Sequence, residues 1–139
     1  MWLVDTSAWV EFFRPPRRLV LEDLSPGGGP IVTCLPVIQE VLQGIDDERA
    51  FVGLRSAMTA WPSVDSPLTS AVVDEAVQIY RQTRRAGATI RSSVDCLIAA
   101  SALRHSLTVV HCDRDFAAIA RVTGLRHLDL SARLRRHKS

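Results

Sequence analysis

Short apolar runs alternate with longer segments of helical periodicity along almost the whole chain, and this alternation constrains the fold more than any other feature. Residues 2–5 form a strand-like run ending at Asp5, and residues 7–13 continue with helical character until Pro15 and Pro16 stop them. Residues 17–24 can form another short helix, and the SPGGGP stretch at 25–30 reads as a flexible connection within one domain. Residues 31–33 read as a buried strand, and Pro36 suits the first turn of a helix that Gly44 ends. A helix capped by Asp46 or Asp47 reaches about Met58, and residues 61–64 make a weaker strand. Leu68, Val72, Ala76 and Ile79 recur at helical spacing, with Arg81, Arg84 and Arg85 near the helix end before Gly87. Ser93 or Asp95 opens a helix through Leu103; residues 107–110 are strand, 116–122 helix and 127–130 a last strand. Strands this short, separated by crossover helices, predict an α/β class with a mainly parallel sheet covered on both faces.

At 139 residues the chain reads as one domain, large enough to bury a real core. Every apolar stretch is interrupted well short of the ~18 positions a membrane helix needs. The N-terminus enters a strand without a basic segment and long apolar core, so no secretory signal is read and a cytoplasmic location is expected. Cys34, Cys96 and Cys112 are odd in number and widely spaced, which argues against a disulfide scaffold or a zinc finger. Lysine usage excludes more. The only lysine is Lys138, so phosphate-binding P-loop, Schiff-base, kinase and receiver-domain chemistries lack their essential amine.

Parallel α/β sheets bind ligands outside the carboxyl ends of their strands, where strand order reverses. Acidic residues at those ends therefore carry the chemical argument. Asp5 ends the first strand, Asp113 and Asp115 follow the 107–110 strand, Asp95 lies in the helix turn before it, and Glu40 follows the 31–33 strand. If the first and fourth strands are neighbours, these carboxylates converge. Gathered carboxylates raise one another's pKa, so a cation must compensate, and all-oxygen ligands suit Mg²⁺ or Mn²⁺. Such a site fits phosphodiester hydrolysis.

Each residue also has a purely structural role available. Asp5, Asp95 and Asp113 can each cap a helix, Glu40 can be solvated, and Asp115 can make an Asx-turn beside Phe116. Thr6 and Ser7 can bond turn N–H groups or support the ligands from behind. His111 and Cys112 invite a transition-metal site, but two further soft ligands are missing nearby, and His111 reads better as a strand end. Gly27 to Gly29 lack phosphate-loop spacing, and no GxSxG motif supports nucleophilic catalysis.

Charge is divided along the chain. Residues 1–75 hold 11 acidic and 5 basic side chains, a net −6, while residues 76–139 hold 4 acidic and 12 basic ones, a net +8. This favours a polyanionic partner. Arg84, Arg85 and Arg91, with Arg81, are candidates for nucleic-acid phosphates, against the alternative of a solvated helix end. Arg114, between two candidate acids, can pair with them or with phosphate. Arg133, Arg135, Arg136 and Lys138 make residues 131–139 a basic tail.

The segments Leu3-Val4-Asp5-Thr6-Ser7, Val37-Ile38-Gln39-Glu40-Val41-Leu42-Gln43-Gly44, Val94-Asp95-Cys96-Leu97-Ile98-Ala99-Ala100 and Asp113-Arg114-Asp115-Phe116 occur in a telling order. In that order and spacing the chain resembles PIN-domain proteins, and among them the VapC-type toxins of VapBC toxin–antitoxin modules, over about residues 2–130. The resemblance implies a PIN-like three-layer sandwich with a five-stranded sheet in residues 1–130. It implies a Mg²⁺ or Mn²⁺ site of Asp5, Glu40, Asp95 and Asp113, with Asp115 a variable fifth ligand. It also implies endonucleolytic cleavage of RNA, commonly tRNA or rRNA, a homodimer, and inhibition by a VapB-type antitoxin. His111 departs from the pattern, because many relatives carry Thr or Ser there. A housekeeping RNA-processing nuclease and a non-catalytic RNA- or protein-binding module are the alternatives.

Overall fold

Leu3 and Val4 have no polar side-chain atom and lie wholly out of solvent, which puts the first strand at the centre of the sheet. The computed structural model describes residues 1–136. Its strands are β1 (Trp2–Val4), β2 (Ile31–Cys34), β3 (Ser63–Val64), β4 (Thr108–His111) and β5 (Arg126–Asp129). They form one five-stranded sheet in the order β3-β2-β1-β4-β5, with every neighbouring pair parallel. Leu3 pairs with Val32 on one side and with Val109 on the other. The chain travels outward from β1 to β3, then returns past β1 to add β4 and β5. Strand order therefore reverses between β1 and β4, the crevice where parallel sheets bind ligands.

The helices are α1 (Thr6–Phe13), α2 (Leu21–Leu24), α3 (Leu35–Gln43), α4 (Glu48–Ala60), α5 (Ser70–Arg85), α6 (Ser93–Arg104), α7 (Arg114–Val122) and α8 (Ser131–Arg136). Right-handed crossovers put helices made while the chain moves one way on one face, and helices made on the return on the other. The packing agrees: α3 touches α1 and α4, whereas α5, α6 and α7 touch one another. Trp9, Met58, Ile98, Phe116 and Ile119 fill the layers between helices and sheet. The acidic half of the sequence thus supplies β1–β3 and the basic half supplies β4 and β5, so the seam between them is also a charge boundary.

Three segments differ from expectation. Residues 17–20 do not join α2, because the Val20 N–H donates to Asp23 Oδ2 at 2.8 Å and Val20 stays extended as the helix cap. The glycine run is an ordered turn, with Gly27 and Gly28 at φ 78° and 74°, where an L side chain is strained. At Gly29 a Cβ would stand 2.8 Å from Trp2 Nε1, so close approach by the indole requires glycine. In the basic tail, residues 131–136 are helical, and Arg133 Nη1 lies 2.6 Å from Asp23 Oδ1. Lys138 lies outside the described residues.

Ile98 is fully buried in α6, whereas Val52 on α4 is 61% exposed. Ile98→Ala is expected to lower unfolding free energy by about 2–5 kcal/mol, and Val52→Ala to change it by less than about 0.5 kcal/mol, in urea titrations.

Candidate metal centre

Asp5 follows β1 immediately and caps α1, so its backbone is fixed by both elements. Its Oδ2 accepts hydrogen bonds from the Ser7 N–H at 3.0 Å and the Ser7 hydroxyl at 2.5 Å. The same Ser7 oxygen accepts the Cys112 N–H at 2.9 Å, which ties the end of β1 to the end of β4. Thr6 donates its hydroxyl to Glu40 Oε1 at 2.8 Å and so holds the α3 carboxylate toward the first strand. Asp113 caps α7, its Oδ1 accepting the Asp115 N–H at 3.0 Å. Asp95 lies in the first turn of α6, buried. The capping roles read for Asp5 and Asp113 are therefore real. They leave free acceptor capacity, and a carboxylate that caps a helix is also held still.

One carboxylate oxygen each from Asp95, Asp113 and Asp115 lies within 4.8 Å of the others. The Asp5 charge acts on Asp95, and the Glu40 charge acts on Asp5 as the smallest of the influences on that carboxyl. Burial raises the Asp5 carboxyl from 3.8 to about 6, despite the opposing Ser7 hydrogen bonds. Asp95 is raised strongly, first by burial and then by the charges of Asp5 and Asp113. Asp5 Oδ1 and Asp95 Oδ2 are buried with no hydrogen-bond partner. Buried carboxylate oxygens without a donor are costly. Two of them, one on Asp95 within the group of three carboxylates and one on Asp5, fit a hard dication taking all-oxygen ligands.

Soft-metal chemistry does not fit. Among the described residues no Cys or His joins the metal-sized group of acids, and in the metal-free protein burial pushes the Cys112 thiol up to about 12 and Cys96 up to about 11. Burial also lowers His111 to about 4. Its Nδ1 accepts the Asp113 N–H at 3.1 Å, which leaves Nε2–H to donate to His127 Nδ1 at 2.9 Å. With both ring nitrogens engaged, His111 is a neutral prop beneath the Asp113 backbone. His127 was not singled out from the sequence; only the β4–β5 register, pairing Val109 with His127, brings the two rings to one face.

The cation that meets these acids is Arg91, not Arg114. Arg91 Nη2 lies 3.1 Å from Asp113 Oδ1 and its Nε 3.4 Å from Asp115 Oδ2, which also accepts the Arg91 backbone N–H at 3.1 Å. Arg114, at the exposed start of α7, makes no ion pair among the described residues. Arg84 and Arg85 are exposed at the C-terminal end of α5, one short loop before Arg91.

A carboxyl whose folded pKa exceeds its unfolded value binds its proton more tightly when folded. The stability linked to Asp5 is therefore full below about pH 3.8 and is lost as pH rises to about 6. Without metal, Asp5→Asn is expected to exceed the parent in stability by about 3 kcal/mol at pH 7.5 and to match it near pH 3.5. Urea titrations in EDTA at both pH values measure this difference.

The family model described as "PIN domain" matches residues 2–122. Ribonuclease VapC11 of Mycobacterium tuberculosis (strain H37Rv) is 41% identical over 135 residues, covering 90% of this chain and 96% of that protein. DNA-bound VapBC from Salmonella typhimurium superposes with a TM-score of 0.71 at 19% identity, covering 92% of this chain and 96% of that one. Mycobacterium tuberculosis VapC20, described as a sarcin-ricin loop cleaving toxin, gives a TM-score of 0.64 at 19% identity, covering 91% and 99%. At those identities the two structures attest the fold, while the domain match and VapC11 attest kinship. The chain belongs to the PIN-domain family and, within it, stands with the VapC ribonucleases.

Proposed function

We propose that the chain is a Mg²⁺-dependent endoribonuclease, the toxin of a VapBC-type toxin–antitoxin module, with Mn²⁺ an acceptable substitute. The observation that carries this reading is the acidic cluster at the β1–β4 seam, with its two partnerless buried oxygens. A dication bound there lowers the pKa of a water and offsets the charge that develops on a phosphodiester. In this reading Asp5, Glu40, Asp95 and Asp113 hold the ion, and Asp115 is a fifth carboxylate near it. Ser7 keeps Asp5 from rotating and Thr6 does the same for Glu40, so the ligands meet the ion already arranged.

Arg84, Arg85, Arg91 and Arg114 bind RNA backbone phosphates, where a planar guanidinium fits two oxygens at once. The target is an RNA such as rRNA or tRNA; VapC11, a ribonuclease by name, supports RNA as the substrate class, and VapC20, a sarcin-ricin loop cleaving toxin by name, supports a structured RNA. The solved VapBC complexes support a VapB-type antitoxin as partner. Exposed Val73 and Val77 on α5, beside Leu97 of α6, form an apolar strip that supports a homodimer. No helix of the described residues is long and apolar enough to cross a membrane, and we place the activity in the cytoplasm.

Purified protein is expected to cut total RNA at mappable positions with Mg²⁺ and to stop in EDTA. Asp95→Asn should lower the cleavage rate by about a hundredfold or more with the fold intact by circular dichroism. Wild-type cleavage by that variant, or undiminished cutting in EDTA, overturns the reading. Expression should arrest growth, with relief by a small neighbouring gene; a housekeeping nuclease has no such neighbour.

A further inference from the structure

Arg91 differs from the other exposed arginines because its guanidinium lies against the acidic centre. Its side chain is 59% exposed, yet two of its nitrogens contact Asp113 and Asp115. Positioning and neutralisation are separable there. The Arg91 backbone N–H holds Asp115 Oδ2, and the Asp115 N–H holds Asp113 Oδ1, whatever the Arg91 side chain does. The guanidinium adds charge and two further contacts, at 3.1 Å to Asp113 and 3.4 Å to Asp115, and its exposure lets it leave for solvent at little cost in packing.

We propose that Arg91 is the resident counterion of the centre: it neutralises Asp113 and Asp115 in the metal-free protein and competes with the dication for them. The proposal rests on the metal centre described under Proposed function. A guanidinium and a dication drawn to the same carboxylates repel each other, since like charges a few ångströms apart interact strongly even at an effective dielectric of about 20. The backbone N–H groups keep the carboxylates in place when the guanidinium departs. Removing the charge therefore strengthens cation binding, whereas a positioning role for the side chain predicts weakening.

The test is Mn²⁺ binding to the full chain without RNA, read as loss of the free-ion signal in electron paramagnetic resonance. Arg91→Gln removes the charge while leaving a shorter polar side chain, and is expected to bind Mn²⁺ about tenfold more tightly than the parent at low salt. That gain should shrink as ionic strength rises, which a packing role does not produce. Arg91→Lys, still charged, should stay close to the parent, and Arg91→Ala should follow Arg91→Gln. Unchanged or weaker binding in Arg91→Gln overturns the proposal. Asp95→Asn separates the two readings: if it loses Mn²⁺ while Arg91→Gln behaves as the parent, only the counterion role falls. If neither the parent nor Arg91→Gln binds Mn²⁺, both fall.

Discussion

Repulsion among carboxylates is the constraint around which this molecule is arranged. Asp5, Asp95, Asp113 and Asp115 arrive from the ends of two adjacent strands and the starts of two helices. Burying them together opposes folding: burial first, and for Asp95 then the charges of Asp5 and Asp113, raises the Asp5 and Asp95 carboxyls above their usual range. The cost is sustained by the apolar layers beneath. Leu3, Val4, Val109 and Val110 are fully buried in the two strands that carry the cluster, and each such side chain contributes about 1.5–3 kcal/mol.

The acids are held by neutral groups that fix geometry while leaving charge uncompensated. Ser7 bonds Asp5 with its hydroxyl hydrogen and takes the Cys112 N–H on its oxygen, so one small side chain joins both strands of the seam. Thr6 holds Glu40, and His111 props the Asp113 backbone. None of these groups carries a full charge, since His111 is held neutral by burial. Arg91 is the exception, and its exposed position makes it the group that can yield.

Charge division along the chain becomes a division in space because strand order reverses at the seam. The acidic half builds one side of the sheet and the basic half the other. The α5 arginines and Arg91 both come from the basic half of the chain, and Arg91 lies against the acidic centre.

The alternation of strands and helices was legible in the sequence because its periodicities, two and near 3.6, are local properties of the chain. So were the acids, because each stands next to a strand end or helix start that sequence locates: Asp5 after an apolar run, Asp113 before a helix. The PIN-like motifs implied a group of Asp5, Glu40, Asp95 and Asp113, and the structure brings oxygens of Asp95, Asp113 and Asp115 within 4.8 Å of one another. Ser7 as a bridge, the His111–His127 pair, the choice of Arg91 over Arg114, and the ordered glycine turn against Trp2 were not legible. Each depends on which strands lie side by side and in what register, as with Cys112 meeting Ser7 over 105 residues of sequence. Sequence by itself determined which residues are acidic, apolar or basic and which segments are strand or helix. Tertiary structure alone decided which acids share a pocket and which cation faces them, because distance through space, not along the chain, sets Coulomb and hydrogen-bond energies.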